Sequence, residues 1–170
     1  MKRKWGAFCR FFLLLLSALL LLGGCAQDEK SADTILSALM GAGEDSLPEG
    51  EIYRSGAEEG SEDYPPSALL RALYGEDGEE SIRICDFSIY LSAFAVPLEI
   101  AVFRAPSGDH ARRIYALCLS RMDLLKVALR ETEFDALGGE ICVYRAGRYV
   151  VMGVTWDQES FLKAVKKEIG

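Results

Sequence analysis

The feature that most restricts what this chain can fold into is an apolar run, Phe11 to Leu22, broken only by Ser17 and closed by Gly23, Gly24 and Cys25. Lys2, Arg3, Lys4 and Arg10 precede it. A basic start, a short apolar stretch and small residues before a cut site are the three parts of a secretory signal. The run is shorter than the roughly 20 apolar residues that cross a bilayer comfortably. Two residues without side chains let a peptidase approach the backbone, and the thiol behind them is the nucleophile that a diacylglyceryl transferase needs. The stretch reads as a lipobox, so residues 1–24 are expected to leave as a lipoprotein signal peptide, with Cys25 as the lipid attachment point. The alternative is an uncleaved anchor from Trp5 to Ala26 with Arg10 snorkelling to the interface, but a plain anchor has no reason to end in Gly-Gly-Cys. Two acyl chains on Cys25, at about 0.8 kcal/mol per buried methylene, meet the requirement for stable anchoring. Any folded core must therefore come from the residues after Cys25.

Removing the signal changes the charge. Four of the 19 basic residues lie in it and none of the 26 acidic ones, so the mature balance is 15 basic against 26 acidic, or −11. Such a chain is a poor electrostatic match for nucleic acid or for an anionic membrane surface, and the expected membrane contact is the lipid on Cys25. Of five cysteines, Cys9 leaves with the signal and Cys25 is lipidated. Cys85, Cys118 and Cys142 remain, an odd number without C-x-x-C spacing and each inside an apolar periodic segment. They are expected to be buried free thiols, the alternative being one disulfide and one thiol.

The mature chain divides into a lipidated tether at 25–30, short helices and an acidic loop at 31–80, and an α+β core domain at 81–170. The tether spans at most about 3.5 Å per residue, which keeps the domain near the membrane. Ser31 can cap a brief helix with Ile35, Leu36, Leu39 and Met40 on one face, stopped by Gly41. Residues 44–63 lack periodicity and read as a loop. "YPPSALLRALYG" has prolines where a helix start permits them and a closing Gly75, so a second short helix is expected. Cys85, Phe87, Ile89 and Leu91 alternate with Asp86, Ser88, Tyr90 and Ser92, as in a half-buried strand, while "EIAVFRA" is apolar on both parities and so more deeply buried. From Asp109 to about Glu131 the period is helical, with Ala111, Ile114, Tyr115, Cys118, Met122, Leu125 and Leu129 in one stripe. "EICVYRAGRYVVMGVTW" is a hairpin; a two-residue loop of Ala146 and Gly147 sets Ile141 and Val143 opposite Met152 and Val150, a clean core face, the alternative being a three-residue loop with Gly147 in a bulge, which muddles the faces. Asp157 caps a last helix with Phe161, Leu162, Val165 and Ile169 inward. The expected fold is α+β: a two-layer antiparallel sheet of about four strands in two hairpins, with the two later helices on one face and two short helices before it.

Catalytic chemistry has few candidates. His110, the only histidine, stands near Ser107 and Asp109 at a helix start, where adjacent residues cannot aim at one another as a triad does; capping is the simpler reading. One histidine and scattered cysteines do not make a zinc site. "EEGSED" and "GEDGEE" lack the alternating ligands of an EF-hand and read as solvated acidic loops. "GAGEDS" follows a helix and lacks the lysine of a phosphate loop. No catalytic residue, metal site or cofactor is expected. One surface stands out: with helices over Phe87, Ile89, Val150 and Met152, the other face presents Tyr90, Tyr149 and Tyr144. Tyrosine offers contact area with a polar tip, so these form a candidate binding face unless the N-terminal helices cover it.

Taken together, the lipobox, the "YG" closing the second helix, "DFSIYLS", "EIAVFRA", the long helix and "GRYVVMGVT" resemble the small Firmicutes lipoproteins grouped as domain of unknown function 4358, over about residues 31–169. The resemblance implies a Gram-positive host and carries no catalytic or binding residues. The sequence thus points to a membrane-anchored extracytoplasmic lipoprotein that acts as a non-catalytic binding module, its partner an envelope protein or a ligand presented by one. The alternatives are a small-solute receptor or an accessory subunit of a transporter, and after them a hydrolase. One lobe is too little chain for a clamp-like solute receptor.

Overall fold

Ten elements follow from these periodicities in the computed structural model, which describes residues 29–41, 48–93, 98–130, 139–155 and 157–170. The signal segment, Cys25 and the first part of the tether lie outside the described residues. In chain order the elements are α1 (Ala32–Met40), β1 (Gly50–Arg54), α2 (Ser67–Tyr74), α3 (Glu76–Arg83), β2 (Asp86–Ser92), β3 (Glu99–Arg104), α4 (Gly108–Leu129), β4 (Glu140–Ala146), β5 (Tyr149–Thr155) and α5 (Gln158–Ile169). Three helices begin at side-chain caps: Ser31 accepts from the Thr34 amide, Ser107 from the His110 amide and Asp157 from the Ser160 amide. Each satisfies one of the amides a helix start leaves open.

The strands form one sheet in the order β1-β2-β3-β5-β4, antiparallel at every adjacent pair. The class is α+β, as expected, with a fifth strand added. Gly50–Arg54 falls in the stretch read as a loop, and β1 pairs along β2 from Gly50 opposite Ser92 to Arg54 opposite Ser88. Five residues with a glycine at one end are too short to show a period of two. The acidic run after Gly75 also differs: Glu76–Arg83 is helical, with Glu76, Asp77 and Glu79 in the first turn, where negative charge complements the helix dipole.

The second hairpin turns one residue later than expected. Ala146 pairs with Tyr149 and Val143 with Met152, so Gly147 and Arg148 are the loop. Gly147 has φ +55°, the left-handed region that tight hairpin loops require. The pairing is displaced by two residues relative to the expected one, which preserves every face assignment.

The larger correction is the layering. Phe87, Ile89, Val150 and Met152 do share a core face, with Ile82, Phe103, Ile114, Cys118 and Leu125, and α2, α3 and α4 cover it. The opposite face is not open. Tyr90, Ile100, Val102 and Val151 pack there against Ile35, Leu36 and Leu39 of α1 and Val165 of α5. The fold is a three-layer sandwich with helices on both faces rather than one, and Ser31–Gly170 is one compact unit. The last helix lies across the sheet from α4. It approaches so closely that a Cβ on Gly153 would meet the Phe161 ring at 2.3 Å.

Candidate functional site

The tyrosine face fails as a surface. Tyr90 is 2% exposed, and its hydroxyl donates to the Pro48 carbonyl oxygen. Tyr144 and Tyr149 are half-buried beside it. Alternation placed the three residues on one face correctly; α1 and α5, which cover that face, bury it.

Polar side chains elsewhere are largely engaged with one another. At the sheet end where β2 begins, Asp33 accepts from Arg54 Nε at 2.7 Å and from Ser88 Oγ at 3.2 Å, and Arg54 also reaches Asp63 at 2.7 Å. Asp86 accepts from the Ala32 amide at 3.0 Å, from Ser55 Oγ at 3.3 Å and from Arg104 Nη2 at 3.1 Å. This network fastens the start of α1 to the sheet and gives the Asp86 carboxylate its complement of donors.

The deepest charge is Glu99, which is 1% exposed, at the start of β3. Its Oε1 accepts from the Tyr74 hydroxyl at 2.7 Å, and its Oε2 accepts from Arg121 Nε and Nη2 at 3.0 and 2.9 Å. Arg121, on α4, has a side chain only 16% exposed. Burial, and then the Glu99 charge, push the Tyr74 hydroxyl well above the usual tyrosine range, so it stays a donor. A carboxylate with its oxygens so occupied is a clamp between strand and helix, not a free base.

The cysteines are free and buried, as expected. Burial pushes the Cys85 thiol up to about 12 and that of Cys142 up to about 11, and carries Cys118 well above the thiol range with Glu99 adding to it. None has thiolate character at neutral pH. Among the described residues no group of three histidine, cysteine, aspartate or glutamate side chains could hold a metal, and no described helix is long and apolar enough to cross a membrane.

A groove of about 700 Å³ lies between α3 and α4. The α3 wall carries Asp77, Glu80 and Ser81 and ends at Ile84; the α4 wall carries His110, Arg113, Leu117 and Ser120. His110 is tied down at the base, its Nε2 lying 2.8 Å from the Ser81 carbonyl oxygen, so it serves the helix junction and makes no triad with Ser107 or Asp109. Asp77, Glu80 and Arg113 are exposed. The helical period carries the α4 wall on from Leu117 and Ser120 to Leu124 and Val127. Ile84, Leu124 and Val127, at 62%, 60% and 67%, are the large hydrophobic side chains left exposed among the described residues. All three therefore lie along this groove or its extension. The signal was readable: Leu117, Leu124 and Val127 fall outside the inward stripe of α4, on a face that would otherwise be polar. In comparisons with known proteins, no family model, no curated protein and no solved structure matches this chain.

Proposed function

We propose that this is a lipid-anchored extracytoplasmic lipoprotein of a Gram-positive envelope, acting as a non-catalytic interaction module through the α3–α4 side of its folded unit. The observation that carries the interaction reading is that Ile84 lines the groove while Leu124 and Val127 continue the α4 face that walls it, all three exposed. Single exposed apolar residues scattered over a surface need no explanation, whereas their concentration at a concave site marks a contact surface. Engagement of Glu99, Asp86 and His110 in internal hydrogen bonds supports a non-catalytic role over a hydrolase. The openness of the groove, whose walls are two surface helices, favours a macromolecular partner over an enclosed small solute.

The anchoring half of the proposal rests on the Gly23-Gly24-Cys25 signal and is tested first. Cys25→Ser should accumulate as a precursor retaining residues 1–24, while the wild-type chain should carry lipid mass on Cys25. Wild-type protein with its first 24 residues intact and no lipid would overturn it. For the interaction half, a photo-crosslinker placed at Leu124 on intact cells should give a discrete adduct that the same group at Glu58, in an exposed turn, does not. Indistinguishable patterns at the two positions would refute it.

A further inference from the structure

We infer that the groove between α3 and α4 seats an amphipathic helix of a partner protein whose cationic flank meets Asp77 and Glu80. The inference rests on the interaction reading above and specifies the partner. Asp77 and Glu80 stand one turn apart on α3, both exposed; Glu80 lies within electrostatic reach of Arg71, and Arg113 lines the same groove from α4. Carboxylates so placed along an apolar floor are complementary to lysine or arginine, and steer association as well as orienting it.

Length decides against a small ligand. The groove's α4 wall runs from His110 to Ser120, about 15 Å at 1.5 Å per residue or close to three helical turns, and the same face of the helix continues past the groove to Leu124 and Val127. Leu117 and Leu124 supply apolar contacts along that face, and the short side chains of Ala116 and Ser120 leave room between them for a partner's larger ones. Charge decides against a second copy of this chain as the occupant. At −11 after loss of the signal, two copies repel, and a copy would bring its own Asp77 and Glu80 to the contact. It also decides against an anionic lipid surface, because the α3 wall is acidic.

The test uses the full chain in phosphatidylcholine nanodiscs, with empty discs as the blank. Two fluorescent 18-residue helical peptides serve as probes, each with leucines along one face and either lysines or glutamates on the flank. The lysine peptide should bind and the glutamate peptide should not. Asp77→Lys combined with Glu80→Lys should weaken the lysine peptide at least tenfold and reverse the preference, and Leu124→Asp should also weaken it at least tenfold. Glu58→Lys combined with Glu59→Lys, in an acidic turn that does not line the groove, should change affinity less than twofold. Failure of the lysine peptide to bind, or binding to the Asp77/Glu80 variant within twofold of wild type, overturns the proposal. So does a dimer in sedimentation that Leu124→Asp dissolves, which would make a second copy the occupant. Each variant's thermal melt should match wild type, so a loss of binding is not a loss of fold. Failure here leaves the interaction module itself standing if the Leu124 crosslinker still gives its discrete adduct on cells.

Discussion

Removing the cation from the buried Glu99–Arg121 pair tests the packing argument most severely. Arg121→Met keeps the length of the side chain and its contact along α4, but leaves the Glu99 carboxylate 1% exposed with only the Tyr74 hydroxyl to answer it. Breaking a buried pair from one side costs about 3 to 5 kcal/mol, because the remaining charge stays desolvated. Glu99→Gln should cost less, about 1 to 3 kcal/mol, since the amide can still accept from Tyr74 and Arg121, whose side chain is 16% exposed, can extend its tip toward water. The double variant should then be more stable than Arg121→Met alone, giving a coupling of about 1 kcal/mol or more. Urea titration of the full chain followed by circular dichroism measures all four corners of the cycle. At about 3 °C per kcal/mol for a unit of this size, Arg121→Met should also melt roughly 10 °C below wild type. A loss under about 1 kcal/mol for Arg121→Met, or strict additivity of the two changes, would show that the pair is hydrated and refute the reasoning.

Tyr90→Ala should cost about 3 kcal/mol or more in the same titration, as a large buried side chain lost from the α1–α5 side of the sheet, whereas Tyr90→Phe should cost only about 1 kcal/mol for the bond to Pro48. Near-equal costs would mean that the ring is solvated. Native Cys85, Cys118 and Cys142 should react slowly with iodoacetamide at pH 8 and quickly in urea, and rapid native labelling of all three would contradict their burial. Their raised thiol pKa values also set a sign. The unfolded thiols ionise near pH 8.5 to 9 while the folded ones stay neutral, so this stabilisation is complete below that range. It is lost as pH climbs through the folded values of about 11 for Cys142 and about 12 for Cys85. Cys142→Ala should flatten the fall in urea midpoint between pH 8 and 11.

Alternation and helical spacing were enough to locate most of the elements and to sort Phe87, Ile89, Val150 and Met152 from Tyr90, Tyr144 and Tyr149, because a period of two is a property of each strand by itself. Which helix covers which face is not local. β3 and β4 run parallel with β5 between them, which makes α4 a crossover whose side of the sheet follows from handedness only once the strand order is known. No such rule governs α5, which leaves an antiparallel strand, and its apolar stripe fits either face equally well. The face beneath α4 was already shared with α2 and α3, so α5 and α1 took the other, and the tyrosines went with it. Glu99 was illegible for a similar reason. In "EIAVFRA" it stands at a strand end where a charge ordinarily meets water, and its partners come from Tyr74 and Arg121, each more than 20 residues away in sequence. Leu124 and Val127, by contrast, interrupt the polar side of a single helix and could have been read directly.

The buried pair and the groove are linked by α4. Glu99 opens β3 and Arg121 lies in the second half of α4, so their bond fastens the far part of the longest helix to the sheet. Leu125 and Leu129, both buried in the core, seat the last turns of this 22-residue helix, and the ion pair adds a polar tie between them and the sheet. Leu124 is three residues beyond Arg121, and Ser120 one before it, so the clamp holds the same turns that form the extended floor of the groove. Rigid placement of exposed apolar side chains lowers the ordering cost of binding, which otherwise offsets much of the contact energy. The opposite end of the unit is fastened differently. Asp86 holds the amide of Ala32 beside Arg104, close to where α4 starts, whereas Leu124 lies about 24 Å further along that helix at 1.5 Å per residue. The chain thus enters its folded unit at the end away from Leu124 and Val127.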